Sequence, residues 1–171
     1  MTKFHELPDS IECGKMKEYF EEYLSYYCNN TNSKNVNYAL SELLELADRQ
    51  WHTYELLEEC VKERVEKYLQ AVIDFEDAEI MDYILCIIPR IGLSNLFSYI
   101  LQNKNSIQNR EILSNIIESE NEYGDDVDNP YSGIWLIFIF LPLKKANQLK
   151  LTTVFKLIEM VHTEGDSIYG D

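Results

Sequence analysis

The tightest constraint on this chain is a spacing. Leu57, Val61, Val65, Tyr68, Leu69 and Val72 return at intervals of three and four residues, which gathers side chains on one side of an α-helix and does not fit the two-residue alternation of a strand. On the other faces of this predicted helix, Glu58 and Lys62, then Glu63 and Lys67, stand four apart in the order that favours ion pairing.

The same interval recurs elsewhere. Met16, Tyr19, Phe20, Tyr23, Leu24 and Tyr27 predict a first helix, with Asp9 or Ser10 as its cap and NNTNSKN as its end. Val36, Leu40, Leu43, Leu44 and Ala47 predict a second, with Glu42 and Glu45 outside the apolar stripe. After the acidic break Asp74 to Asp77, EIMDYILCIIPRI is apolar almost all round and reads as a helix covered on several sides. Pro89 should kink or end it, and Gly92 allows a reversal into LSNLFSYILQ, a hairpin of helices. Ser106 is a candidate cap for a helix through Ile112, Leu113, Ile116 and Ile117. YGDDVDNPYSG is a cluster of turn formers. IWLIFIFL, residues 134–141, follows it, is ambiguous by period and is read as helix because no strand candidate is present to pair with it. Val154, Leu157, Ile158 and Val161 predict a last helix capped by Thr152 or Thr153. The expected fold is all-α: one helical domain over residues 1–171, either a compact bundle or a short helical-repeat-like stack of antiparallel helix pairs, although no repeat shows in the letters.

Composition narrows the function. With 46% hydrophobic residues the chain should fold, and 15 basic against 30 acidic side chains give a net charge of -15. Such a field repels phosphate backbones and anionic headgroups, so neither nucleic acid nor membrane is an expected partner. The opening MTKFHELPDS lacks the pattern of an export signal, and the longest apolar run is far short of a bilayer span, so a cytoplasmic location is expected. Cysteines 13, 28, 60 and 86 lack metal-ligand spacing and read as reduced, mostly buried thiols. His5, His52 and His162 are scattered, and His52 with Glu55 reads as an incidental surface contact. DDVDNPYSG lacks the alternating carboxylates and closing Glu of a calcium loop. No enzyme activity, cofactor or metal is expected.

Charge is unevenly spread. Glu111, Glu118, Glu120, Glu122, Asp125, Asp126 and Asp128 occupy residues 111–128 without a Lys or Arg, whereas residues 129–158 hold Lys144, Lys145, Lys150 and Lys156 and no acid. A run of like charge is usually a solvated face. Here Tyr123 and Tyr131 flank the carboxylates, and tyrosine is a favoured interface anchor. Glu118, Glu120, Glu122, Tyr123, Asp125, Asp126, Asp128 and Tyr131 are therefore the candidate surface for a basic protein partner.

In DYILCIIPRIGLSNLFSYILQNK and IIESENEYGDDVDNPYSGIW the chain resembles the small immunity proteins of bacterial polymorphic-toxin and contact-dependent growth inhibition systems, particularly those paired with ribonuclease toxins. The resemblance implies a cytoplasmic inhibitor that binds one cognate, basic toxin C-terminal domain through its acidic surface, mimicking the RNA backbone. Residues 1 to about 70 have no counterpart in it. A helical adaptor, scaffold or decoy for a host or regulatory protein is the competing expectation, and tyrosine-rich faces leave a homodimer open.

Overall fold

The computed structural model describes residues 4–8, 11, 13–29 and 36–131. The caps expected at Asp9 or Ser10, the helices expected over 134–141 and 154–161, and the lysines from 144 to 156 lie outside the described residues, and the expectation of one domain over 1–171 reaches beyond them. Contacts divide the chain at Pro130 into a first unit, Met1–Pro130, and a second beginning at Tyr131. The first is described below.

Among the described residues the fold is all-α: α1 (Cys13–Asn29), α2 (Val36–Trp51), α3 (Glu59–Val72), α4 (Ala78–Ile91), α5 (Ser94–Asn103) and α6 (Arg110–Tyr123), with no strand. The apolar stripes face inward as their spacing requires. Met16, Phe20, Tyr23, Leu24 and Tyr27 of α1, Leu40, Leu43 and Ala47 of α2, and Val61, Val65, Tyr68 and Leu69 of α3 are all buried, as is Leu57 just before α3. α4 buries residues around most of its circumference, Ile80, Met81, Ile84, Leu85, Ile87, Ile88 and Ile91, because it packs against α2, α5 and α6.

Alternate helices pack side by side: α1 with α3 and α3 with α5 in one row, α2 with α4 and α4 with α6 in the other. Polar contacts reveal their direction. Lys17 Nζ reaches Glu58 Oε2 at 2.6 Å just before α3, and one turn further along α1, Glu21 pairs with Arg64. Residue numbers rise together, so α1 and α3 run parallel. In the other row, Asn37 Nδ2 donates to Glu79 Oε2 at 2.6 Å and Arg90 Nε donates to Asp48 Oδ1 at 3.3 Å, both 42 residues apart. The described helices of the first unit are thus built as stacked pairs, and the repeat invisible in their letters is a structural one.

That offset explains a misreading. Shifted by 42 residues, Tyr38, Glu42, Glu45 and Arg49 of α2 stand where α4 has Ile80, Ile84, Ile87 and Ile91. α4 lies between two neighbours of its row; α2 has a helix on one side and the short 3-10 turn Phe4–Glu6 on the other. Glu42, expected outside the stripe, is 2% exposed. Its carboxylate accepts the Phe4 N–H at 2.9 Å and the His5 Nδ1–H at 2.8 Å, the ring nitrogen donating because a carboxylate only accepts. Arg49, also buried, donates to Leu7 O at 2.9 Å and pairs with Glu45, leaving its Nε without a partner. Phe4 is fully buried against Tyr19 and Tyr23. The end of the stack is closed by backbone polar groups, which need charged acceptors and donors where interior helices need isoleucine.

Local signals were overridden in four further places. Glu58 pairs with Lys17 across helices, while Lys62, mostly buried, lies 3.8 Å from Glu59. Pro89 does not end α4, which runs to Ile91; termination falls to Gly92 (φ +74°), whose N–H and that of Leu93 both bond Ile88 O. A proline one residue into the last turn removes a single hydrogen bond there. Asn109, not Ser106, caps α6, its side chain accepting the Glu111 N–H at 3.0 Å; Ser106 sits in the 3-10 turn before it. The thiols of Cys28, Cys60 and Cys86 are free, but Cys28 and Cys60 are exposed rather than buried. The start of α5 has no side-chain cap of its own. Buried Glu66 of α3 supplies the acceptor, taking the Leu96 N–H at 3.1 Å and Asn95 Nδ2 at 3.2 Å.

Candidate functional site

Because α2, α4 and α6 belong to one row, their C-terminal ends collect on one edge. Arg90, near the end of α4, bonds Asp48 near the end of α2 and lies close enough to Tyr123, the last residue of α6, to bias its ionisation. Beyond α6 the chain turns through the 3-10 segment Gly124–Asp126 and crosses the end of α4: a Cβ placed on Gly92 would lie 2.6 Å from Asp128 O and 3.2 Å from Pro130 Cδ. Only glycine admits this approach. The indole N–H of Trp51, at the end of α2, then donates to Pro130 O at 3.4 Å, so the acidic turn is tied to both neighbouring helix ends.

The aligned peptide dipoles place on the order of half a negative charge at each helix C-terminus. The turn adds the exposed carboxylates of Asp126 and Asp128, and Glu122 is exposed in the last turn of α6. Asp48, with its side chain 49% exposed, is shared between Arg90 at 3.3 Å and His52 at 3.7 Å. Arg90 also donates to Cys86 O and is the cation that holds these ends together. The edge is strongly electronegative, with one arginine built into it.

The candidate residues divide on this frame. Along α6, at about 100° per residue, Glu118 and Glu122 fall within ~20° of Glu111 and form an exposed stripe, whereas Glu120 lies roughly opposite and pairs with Lys104 from the preceding turn. Tertiary contact supplies the base that the 111–128 segment lacks. The Tyr123 ring is half-buried against the core; burial, then Glu122 beside it, hold its hydroxyl above the usual tyrosine value while Arg90 pulls it down. Tyr131 is buried, 7% exposed. The two tyrosines are therefore not the exposed pair expected on either side of the acids: both rings meet the demand of an aromatic surface for burial. Asp126 and Asp128 are exposed as expected, and the side chain of Asp125 is not among the described ones.

The exposed aromatic of this region comes from the bend between α2 and α3. Tyr54 is 56% exposed and Leu56 55% exposed; the Tyr54 ring centroid lies 6.4 Å from that of half-buried Trp51. His52 does not pair with Glu55 along a helix, since α2 has ended; its Nδ1 lies 2.7 Å from Asp48 O. Part of a signal for this surface was present in the letters: Leu56 is out of step with the stripes of both α2 and α3, whereas Tyr54, seven residues from Ala47 and seven from Val61, reads as a continuation of either.

No group of three or more His, Cys, Asp or Glu able to hold a metal ion occurs among the described residues, and no described helix is long and apolar enough to cross a membrane. Compared with known protein families, curated proteins and solved structures, the chain matches none.

Proposed function

We propose that this protein binds and neutralises a basic protein partner at the edge formed by the ends of α2, α4 and α6, in the manner of an immunity protein that inhibits a ribonuclease toxin. The observation that carries the reading is the convergence of Asp126, Asp128 and Glu122 with three helix C-termini, held in place by the Gly92 approach. A ribonuclease needs cationic groups to hold phosphates, and a rigid electronegative edge competes for those groups without ordering cost. Glu118 extends the surface along α6, and Glu120 contributes through Lys104 to the setting of the turn rather than to contact.

The stacked helix pairs favour a second reading, a helical adaptor, since such stacks present extended binding faces. Co-expression separates the two. The C-terminal domain encoded by the adjacent gene should arrest growth alone, and this chain should restore growth and co-purify with it. Charge reversal of the turn, Asp125→Lys with Asp126→Lys and Asp128→Lys, should abolish rescue while the far-UV circular dichroism stays unchanged. Rescue that survives this reversal removes the turn from the interface, and failure of the unaltered chain to rescue moves the weight to the adaptor.

A further inference from the structure

The segment that closes the outer side of α2 is gripped largely through its main chain. At one end Glu42 accepts the Phe4 N–H, together with the His5 ring N–H and the Tyr38 hydroxyl. At the other, about two turns along α2, Arg49 Nη2 donates to Leu7 O at 2.9 Å. Between these ends the fully buried Phe4 ring stands edge-on to Tyr19, centroids 6.4 Å apart, and tilted against Tyr23 at 6.0 Å. A bond from the Leu7 N–H to Phe4 O at 3.2 Å closes the turn itself.

Arg49 is poorly served by this arrangement. It is 7% exposed; Nη1 is taken by the carbonyl and carboxylate of Glu45, and Nη2 by Leu7. Nε, which shares one edge of the planar guanidinium with Nη2, is buried and has no acceptor, the one such side-chain atom among the described residues. That edge is a fork of two parallel N–H groups, the geometry that meets the paired oxygens of a carboxylate. A main-chain carbonyl offers it a single oxygen. A chain that ended where Leu7 stands would carry two oxygens on the same carbon and would relieve the penalty of an unmet buried donor.

We propose that Phe4–Leu7 is a displaceable strap lying in a peptide site, and that the site takes the C-terminal end of another chain, with an aromatic residue in the Phe4 position and, three residues on, a free α-carboxylate on the Arg49 fork. The strap fills the ring pocket and the Glu42 acceptor as such a ligand would, and leaves the fork half used. It is therefore an internal competitor, which lowers the apparent affinity for the ligand by the fraction of molecules whose site is open. This inference is independent of the acidic edge and of any partner docked there.

The test titrates acetyl-Phe-His-Glu-Leu against the full chain by calorimetry in four forms: the free acid, the C-terminal amide, the free acid with Ala in place of Phe, and an amide ending in Asp, which moves the carboxylate to a side chain. The free acid should bind about ten-fold more tightly than the amide, and the other two should bind as weakly as the amide. Phe4→Ala in the protein weakens the strap and should strengthen binding of the free acid. Arg49→Lys keeps the charge without the fork and should bring acid and amide together. Excess free acid should also make residues 4–8 of the unaltered chain cleavable in limited proteolysis, a readout that does not depend on either variant folding. Equal affinity for acid and amide overturns the proposal, as does an unaltered cleavage pattern under excess free acid. A preference for the acid that persists in Arg49→Lys places the carboxylate elsewhere and overturns it too. If the Asp-ended amide matches the free acid, the assignment to a chain terminus falls.

Discussion

Replacing Gly92 with alanine isolates the contact that positions the acidic turn. At φ +74° an L-residue meets its own carbonyl, a cost of roughly 1–2 kcal/mol. The new Cβ would also stand 2.6 Å from Asp128 O, closer than carbon and oxygen approach without repulsion, and the obstacle is backbone that cannot rotate aside. The turn must retreat, which strains or breaks the Trp51 hydrogen bond to Pro130 O, worth about 0.5–1.5 kcal/mol. The total is roughly 1.5–3.5 kcal/mol, and for a chain of this length each kcal/mol lowers the melting temperature by about 2–4 °C. Thermal unfolding followed by circular dichroism should therefore show a fall of about 3–14 °C for Gly92→Ala. Gly92→Asn divides the cost: asparagine tolerates the left-handed region, so the backbone part shrinks while the clash with Asp128 remains. A melting temperature for Gly92→Ala indistinguishable from that of the unaltered protein would refute the close approach. An asparagine variant as stable as glycine would refute the clash alone.

The remaining predictions concern the ends of the stack and its charges. Glu42→Ala strips the acceptor from the Phe4 N–H and from His5, a loss of about 1.5–3 kcal/mol, and should make residues 4–8 cleavable in limited proteolysis; unchanged protection there counts against the cap. Glu66→Ala should destabilise by about 1–3 kcal/mol because the start of α5 loses its acceptor, with Glu66→Gln recovering part through its carbonyl oxygen, and equal losses in the two variants would contradict that role. Burial raises the hydroxyls of Tyr23 and Tyr27 above the ordinary tyrosine value of 10.0. A folded-state pKa above the unfolded one means stabilisation that is whole below pH 10 or so and is lost as pH climbs through the folded value; tyrosinate absorbance should rise in two steps, the later one coinciding with loss of helix. A single early step with helix intact would show these rings to be accessible. Asp126→Asn with Asp128→Asn should slow association with a basic ligand and flatten its salt dependence more than it speeds dissociation, as read by stopped-flow at two ionic strengths.

The letters alone determined that the described part of this chain is helical and which side chains of α1, α2 and α3 face its core, because three- and four-residue spacing is a local property that any helix converts into a face; Ile117 of the stripe expected on α6 is 43% exposed. The stripes of α1 and α3 and the reversal at Gly92 needed nothing else. The exposure of Asp126 and Asp128 was legible for the same reason: carboxylates among turn formers have no local route to burial. What neighbouring residues cannot encode is who stands opposite. By spacing Glu42 stands outside the apolar stripe, yet it lies 2% exposed because the backbone turn at Phe4–Glu6 needs its oxygens. Glu120 belonged by letter to an acidic run and belongs by contact to Lys104. The candidate edge exists only because helices 42 residues apart run side by side, which brings Trp51, Gly92 and Asp128 together from three separate stretches. Periodicity decides which way a side chain points along its own helix; stacking decides what it meets there, and that is where the chemistry of this surface arises.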